Sequence, residues 1–123
     1  MMSPADARAS LDRYLARYGQ VVTLIRLASG AQPSVSASVD VRAHVTDFKP
    51  QELDGAQGLQ IGDSRVIMST TEVNAADWPS ANESRIPRKG DRILVAGRTR
   101  TVLYGWAAPY VSGELIRVEL AIR

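Results

Sequence analysis

Residues 35–46 read V-S-A-S-V-D-V-R-A-H-V-T. Val35, Ala37, Val39, Val41, Ala43 and Val45 alternate strictly with Ser36, Ser38, Asp40, Arg42, His44 and Thr46. Successive side chains of an extended chain point to opposite faces, so this pattern predicts a strand with one buried and one wet face. The stretch is rich in β-branched residues and has no proline, which favours the same reading.

Outward from this strand the period changes. On its amino side, residues 20–28 are rich in Val, Ile, Leu and Thr and predict a second strand. A Gly- and Pro-containing turn over residues 29–34 joins the two. Further back, Leu11, Tyr14, Leu15 and Tyr18 recur at helical spacing, which predicts a helix over residues 4–18. Ser3 caps it, Pro4 opens it, Asp6 adds negative charge to its first turn, and Gly19 stops it. A helix this short needs a dock for its stripe.

On the carboxyl side, residues 48–62 break the alternation with Pro50, Gly55, Gly58 and Gly62, and predict a long loop between strands. Residues 63–73 predict a strand, and residues 74–84, with Trp78-Pro79 in the middle, a second loop. Residues 92–96 and 99–106 read as a hairpin about Ala96-Gly97. Residues 107–113 form a connection, and Ile116, Val118, Leu120 and Ile122 mark a last strand. The expectation is a mainly β fold: a small barrel or sandwich of about six antiparallel strands with one amino-terminal helix. A length of 123 residues suits a single domain, with the barrel over residues 20–123.

Composition narrows the function. Hydrophobic residues at 45% and charged residues at 23% are those of an ordinary globular chain. Fifteen basic and 13 acidic residues leave a net charge of +2, too even to force a nucleic-acid reading. There is no cysteine, so disulfides, thiolate metal sites and cysteine nucleophiles are excluded. The opening MMSPADARAS lacks an apolar core, and no run approaches the ~18 apolar residues of a membrane span. The expectation is a soluble protein made in the cytoplasm, with no membrane partner.

No residue pattern demands chemistry. The single histidine, His44, falls on the wet face of its strand. Asp40 shares that face but lies ~13 Å along the strand, too far to orient the ring. The acidic pairs Glu52/Asp54 and Asp47/Asp63 sit near loop ends, where carboxylates usually make turns. GAQGLQIG at residues 55–62 lacks the Lys-Ser/Thr of a phosphate loop. The reading is no catalytic residue, no metal ligand and no cofactor. Replacing both Glu52 and Asp54 with amides tests a weaker hydrolase reading.

Two groups remain for binding. Arg85, Arg88, Lys89, Arg92, Arg98 and Arg100 form a basic cluster, and Arg98, Arg100, Tyr104 and Trp106 share parity on one strand. Basic and aromatic side chains on one face suit a single-stranded nucleic-acid platform of OB type. Solvent-facing arginines that keep an edge strand soluble, or that meet acids on a neighbouring subunit, read the same way. Trp78 and Tyr110 are loop aromatics that either belong to an interface or cap the ends of the barrel.

The order of pieces carries a resemblance. It runs from RYG at residues 17–19 through VTLIR, the alternating strand, FKPQELDG at 48–55 and IGDSRVIMS at 61–69. It continues through IPRKGDRILVAGRTRTVL at 86–103 and ends with IRVELAIR at 116–123. Over residues 18–123 the chain resembles the small head-closure, or head–tail joining, proteins of tailed bacteriophages and prophages. The resemblance implies a β-barrel that is not an enzyme and forms a homo-oligomeric ring in the virion neck. Portal or adaptor proteins would lie on one side and tail proteins on the other, with genomic DNA passing through. It implies that the isolated subunit is a monomer, and that Phe48, Lys49, Gln51, Glu52, Leu53, Asp54 and Leu59 form a protein-interaction loop. Tail-terminator proteins have similar sizes.

Overall fold

The computed structural model describes residues 3–28, 34–53, 58–107 and 110–123, with the side chains of residues 52 and 53 left out. Helix α1 spans Pro4–Tyr18, followed by β1 (Gln20–Leu27) and β2 (Val35–Asp47). Next come the single-turn helix α2 (Pro50–Leu53), β3 (Ser64–Ser69) and the short helix α3 (Thr71–Ala75). The rest are β4 (Arg92–Val95), β5 (Arg98–Ala107), β6 (Tyr110–Val111), β7 (Glu114–Leu115) and β8 (Arg117–Ile122). Six strands close into an antiparallel barrel in the order β1-β2-β3-β8-β5-β4, and β6 and β7 form a separate hairpin.

Closure decides between barrel and sandwich, and it removes the strand edges. The one long strand, β2, pairs with β1 over most of its length but with β3 only over residues 43–47. Its leftover edge is covered by side chains. Glu72 of α3 accepts from the Arg42 backbone N–H at 2.8 Å, and Trp78 Nε1 donates to the Ala37 carbonyl at 3.3 Å.

The strand directions alternate round the barrel, so the loops sort into two ends. The connections after β1, β3 and β5 lie at one end, called here the upper end. The loop after β2 and the β4–β5 turn lie at the lower end, with the entry to β1 and the exit of β8. The interior is filled by Val22, Leu24, Val41, Ala43, Val66, Met68, Ile93, Val102, Val118, Leu120 and Ile122. Alternation in β2 therefore holds from Ala37 to Val45, with Val41 and Ala43 fully buried and Ala37, Val39 and Val45 half-buried against the core, while Val35 is exposed. The β4–β5 turn is the expected Ala96-Gly97, with φ of 51° and 81°, the positive pair that a two-residue hairpin needs.

Three expectations about element boundaries need correction. The strand placed at 63–73 ends at Ser69, and α3 follows, carrying Val73 into the core. The loop at 48–62 is interrupted by α2. The connection at 107–113 holds β6 and the turn into β7.

The helix stripe does not dock as drawn. Only Leu15 of α1 is fully buried, while Tyr14 and Tyr18 are 44% and 57% exposed. Polar side chains pin the helix instead. Arg8 donates to Thr70 Oγ1 and to the Leu115 carbonyl, and Asp12 accepts from Thr71 Oγ1 at 2.7 Å. Arg42 donates to the carbonyls of Leu15, Ala16 and Gly19, which satisfies the carboxyl end of the helix. Gly19 is extended rather than left-handed. It is small because a Cβ there would stand 2.8 Å from the Ala43 carbonyl oxygen.

Candidate functional site

The upper end of the barrel is closed by Trp78. Its side chain is 1% exposed, follows a cis peptide to Pro79, and lies among the core residues. Of the two readings of this residue, the structure shows the cap. The Arg26 guanidinium stacks over the indole at 5.2 Å. Arg26 also meets buried Asp91 through two bonds, Nε to Oδ1 at 2.7 Å and Nη2 to Oδ2 at 2.9 Å. Asp91 accepts from the Arg88 backbone N–H as well, so this buried carboxylate is fully engaged. Ile86 and Pro87 cross the same end against Gly105, where a Cβ would come within 2.6 Å of the Pro87 carbonyl oxygen.

This end consumes part of the basic cluster. Arg85 donates to Asn74 Oδ1, to Asp77 Oδ1 and to the carbonyls of Trp78 and Ser80. Arg92 donates to the Gly90 carbonyl at 2.6 Å. These arginines staple the 70–91 connection, so their charge is neutralised or shared locally.

The lower end is closed by polar clasps. Arg100 donates to Ser64 Oγ and to the Gly62 carbonyl, both at 2.8 Å. Arg123 makes two bonds to Asp63, at 3.0 and 2.9 Å, and one to the Gly58 carbonyl. The bond from Arg123, helped by the Gln60 backbone N–H and outweighing the effect of burial, holds the Asp63 carboxyl below the usual aspartate range. The same bond raises the Arg123 guanidinium above its ordinary value. Together these fix the return of the 48–62 loop to the barrel.

The expected interaction loop divides. Phe48 is buried under the Arg65 guanidinium, which lies 5.0 Å over its ring, so it belongs to the barrel and not to a docking surface. Lys49 and Gln51 are exposed, and Leu59 is half-buried. Ile61, which the sequence reading did not single out, is 85% exposed. Asp54 lies outside the described residues, as do the side chains of Glu52 and Leu53.

The expected basic-aromatic face is not one face. The β5–β8 register shifts between Val102 and Tyr104, a bulge that adds one residue to β5. Before it, Arg98 and Arg100 sit opposite Val95 and Ile93, which point into the barrel. After it, Tyr104 and Trp106 sit opposite Ala121 and Glu119, on the outer wall. The two aromatic rings meet there at 5.4 Å. His44 is half-buried rather than free on the surface, with the edge of Tyr14 at 5.8 Å. Tyr110 is exposed on the small hairpin, as either reading of it allows.

Among the described residues no three His, Asp or Glu side chains gather as metal ligands would, and no helix is long and apolar enough to cross a membrane. A scan of known protein-family models finds no match for the chain, and a search of curated proteins finds none either.

Proposed function

We propose that the chain is a structural subunit of the head–tail connector of a tailed phage or prophage. In this reading further copies pack beside it in a ring, portal or adaptor proteins sit on one side, and tail proteins sit on the other. The ring closes the DNA-filled capsid, lets genomic DNA through, and receives the tail. The protein is made in the host cytoplasm, resides in the virion and works without a cofactor.

One observation carries the reading. The core is complete, yet Tyr14, Tyr18, Val21, Val35, Ile61 and Tyr110 remain exposed. Large apolar side chains left over around a finished barrel suit protein docking. The resemblance over residues 18–123 supplies the kind of assembly. The lower loop is anchored at its return to the barrel by Asp63 and Arg123.

The test is removal of residues 51–57 in the phage or prophage that encodes the chain. This leaves Gly58, Gln60 and the Asp63 clasp in place. The expected variant is folded by circular dichroism, because shortening a surface loop is thermodynamically mild. Filled heads without tails should accumulate. Normal tailed particles from the variant would overturn the reading.

Single-stranded nucleic-acid binding is the weaker alternative, because the bulge in β5 separates the arginines from the aromatics. Binding to an oligonucleotide with a steep salt slope would restore it.

A further inference from the structure

Helix α1 is pinned to the barrel by Arg8 and Asp12, with Leu15 buried beneath it. The next flank of the helix is apolar and stays open. There Ala7, Leu11 and Tyr14 face Ile67 and Ile116 across a groove of about 440 Å³. Ala7 to Tyr14 cover about 10 Å of helix axis, the length that successive anchors of a docked segment need. Ser10 and Arg117 also line the groove, and Arg117 is engaged by Glu119 at 3.4 Å.

The two ends of the groove differ in charge. At the carboxyl end Tyr14 and Tyr18 are 44% and 57% exposed, with ring centroids 5.0 Å apart. The Arg17 guanidinium lies over Tyr18, and His44 meets the Tyr14 ring edge-on. These contacts hold both rings in place, so a partner that covers them pays little to order them. Arg13 and Arg17 are exposed, one turn beyond Ser10 and Tyr14 on the outer rim. Neither meets a carboxylate among the described residues. The acids nearby are already engaged: Asp12 by Thr71, Glu72 by the Arg42 backbone, and Glu119 by Arg65 and Arg117. Like charges at i and i+4 repel along a helix, and a carboxylate from outside relieves that repulsion. At the amino end the sign reverses, with Asp6 exposed and Glu114 facing Arg8 at 3.4 Å.

We propose that this groove docks a short segment of a different protein, with large apolar side chains for the concavity and carboxylates for the Arg13–Arg17 end. The change of sign sets its direction, with the acids toward Tyr18 and none toward Asp6. A nucleic-acid strand fits less well, because it needs cations along its whole track, and this one is aliphatic in the middle and acidic at its far end. Tyr, Arg and apolar side chains around a concavity are also the composition of a protein-docking hot spot. In the connector reading the segment belongs to a portal, adaptor or tail protein, and the inference rests on that reading for the segment's source alone.

The probe is a random library of peptides about 12 residues long, selected on the full-length chain and depleted on its Ser10→Trp variant. That indole fills the groove from an exposed position. Selected peptides should share large apolar residues with Asp or Glu on one side. By fluorescence anisotropy, the best of them should bind about tenfold more weakly to Ser10→Trp and to the double variant Arg13→Ala, Arg17→Ala. The loss in the double variant should shrink at high salt, where exposed charges are screened. Arg98→Ala, which removes an exposed cation at the lower end, should change nothing. Circular dichroism should be the same for all, since each altered side chain is exposed.

Selected peptides without acids, or no selectable peptide, would overturn the proposal. An oligothymidylate that binds more tightly than any peptide and is lost in the Arg13, Arg17 variant would assign the surface to nucleic acid instead. Self-association that Ser10→Trp abolishes would assign it to a second copy. None of these results touches the removal of residues 51–57. Tailless heads from that deletion, with no acidic peptide selected, would keep the connector reading and sink this one. Normal tailed particles, with an acidic peptide seated at Arg13 and Arg17, would do the reverse.

Discussion

The two ends of the barrel are closed by opposite kinds of chemistry. At the upper end a tryptophan fills the mouth, and a buried arginine–aspartate pair is stacked on its ring. At the lower end arginines reach from the strands to loop carbonyls and to Asp63, and the Arg123 side chain is 46% exposed. The upper end is an extension of the core. The lower end is a clasp on the surface. A plug of the first kind resists every change, whereas a clasp can hold a loop in place while leaving it free to meet a partner.

The largest effect should come from Trp78→Ala. It empties the upper mouth, strands the Ala37 carbonyl and removes the face on which Arg26 lies. A cost of about 3–5 kcal/mol is expected for a buried tryptophan. For a domain of this size that is a large part of total stability, so the variant should be partly unfolded at room temperature. Urea unfolding followed by circular dichroism reads it. A loss below about 1 kcal/mol would mean that Trp78 is peripheral and that the contrast between the ends is false.

Asp91→Ala comes next. It leaves Arg26 charged and nearly enclosed, with the half-exposed Glu83 at 3.5 Å as its remaining acidic neighbour among the described residues. Breaking a buried pair from one side costs about 3 kcal/mol or more. Replacing both partners, Arg26→Met with Asp91→Leu, should recover most of the loss, because the penalty comes from the orphaned charge. If the double variant is as unstable as the single one, the pair is needed for its hydrogen bonds to the 88–91 turn and not for charge balance.

The same contrast explains what could be read from the chain. The helix at 4–18, the strand at 35–47 and the Ala96-Gly97 hairpin were legible because each follows from a local rule: capping, period two, or a turn with positive φ. The bulge after Val102 was not, because register is set by the partner strand β8 and leaves no local mark. That single inserted residue turned Tyr104 and Trp106 away from Arg100 and dissolved the expected face. Phe48 misled for a related reason, and for the same reason Trp78 stayed between two readings. Each sits in a loop by sequence, but the loop folds it back on the barrel, and an aromatic in a loop reads alike whether it points in or out. Among the candidate site residues, the distinction between side chains that hold the barrel and those left over became visible only with the closed topology.

The smallest effect should be at the clasp, and it carries a pH signature. The Asp63 carboxyl is held below its ordinary value, chiefly by the bond from Arg123. A group whose folded value is depressed contributes stability above its unfolded value, near pH 4, and that contribution fades as pH falls through the folded value. Asp63→Asn should therefore lower the urea midpoint at neutral pH by less than Asp91→Ala does, since the Arg123 side of the pair is screened by water. The gap between wild type and variant should then narrow as pH is lowered from about 4 toward 2. Comparing the two proteins at each pH cancels the other carboxylates. A gap that stays constant from neutral pH to pH 2 would mean that Asp63 acts through its shape and its bond to the Gln60 backbone alone. The lower end would then be held by loop geometry, without the ionic clasp that sets it apart from the upper one.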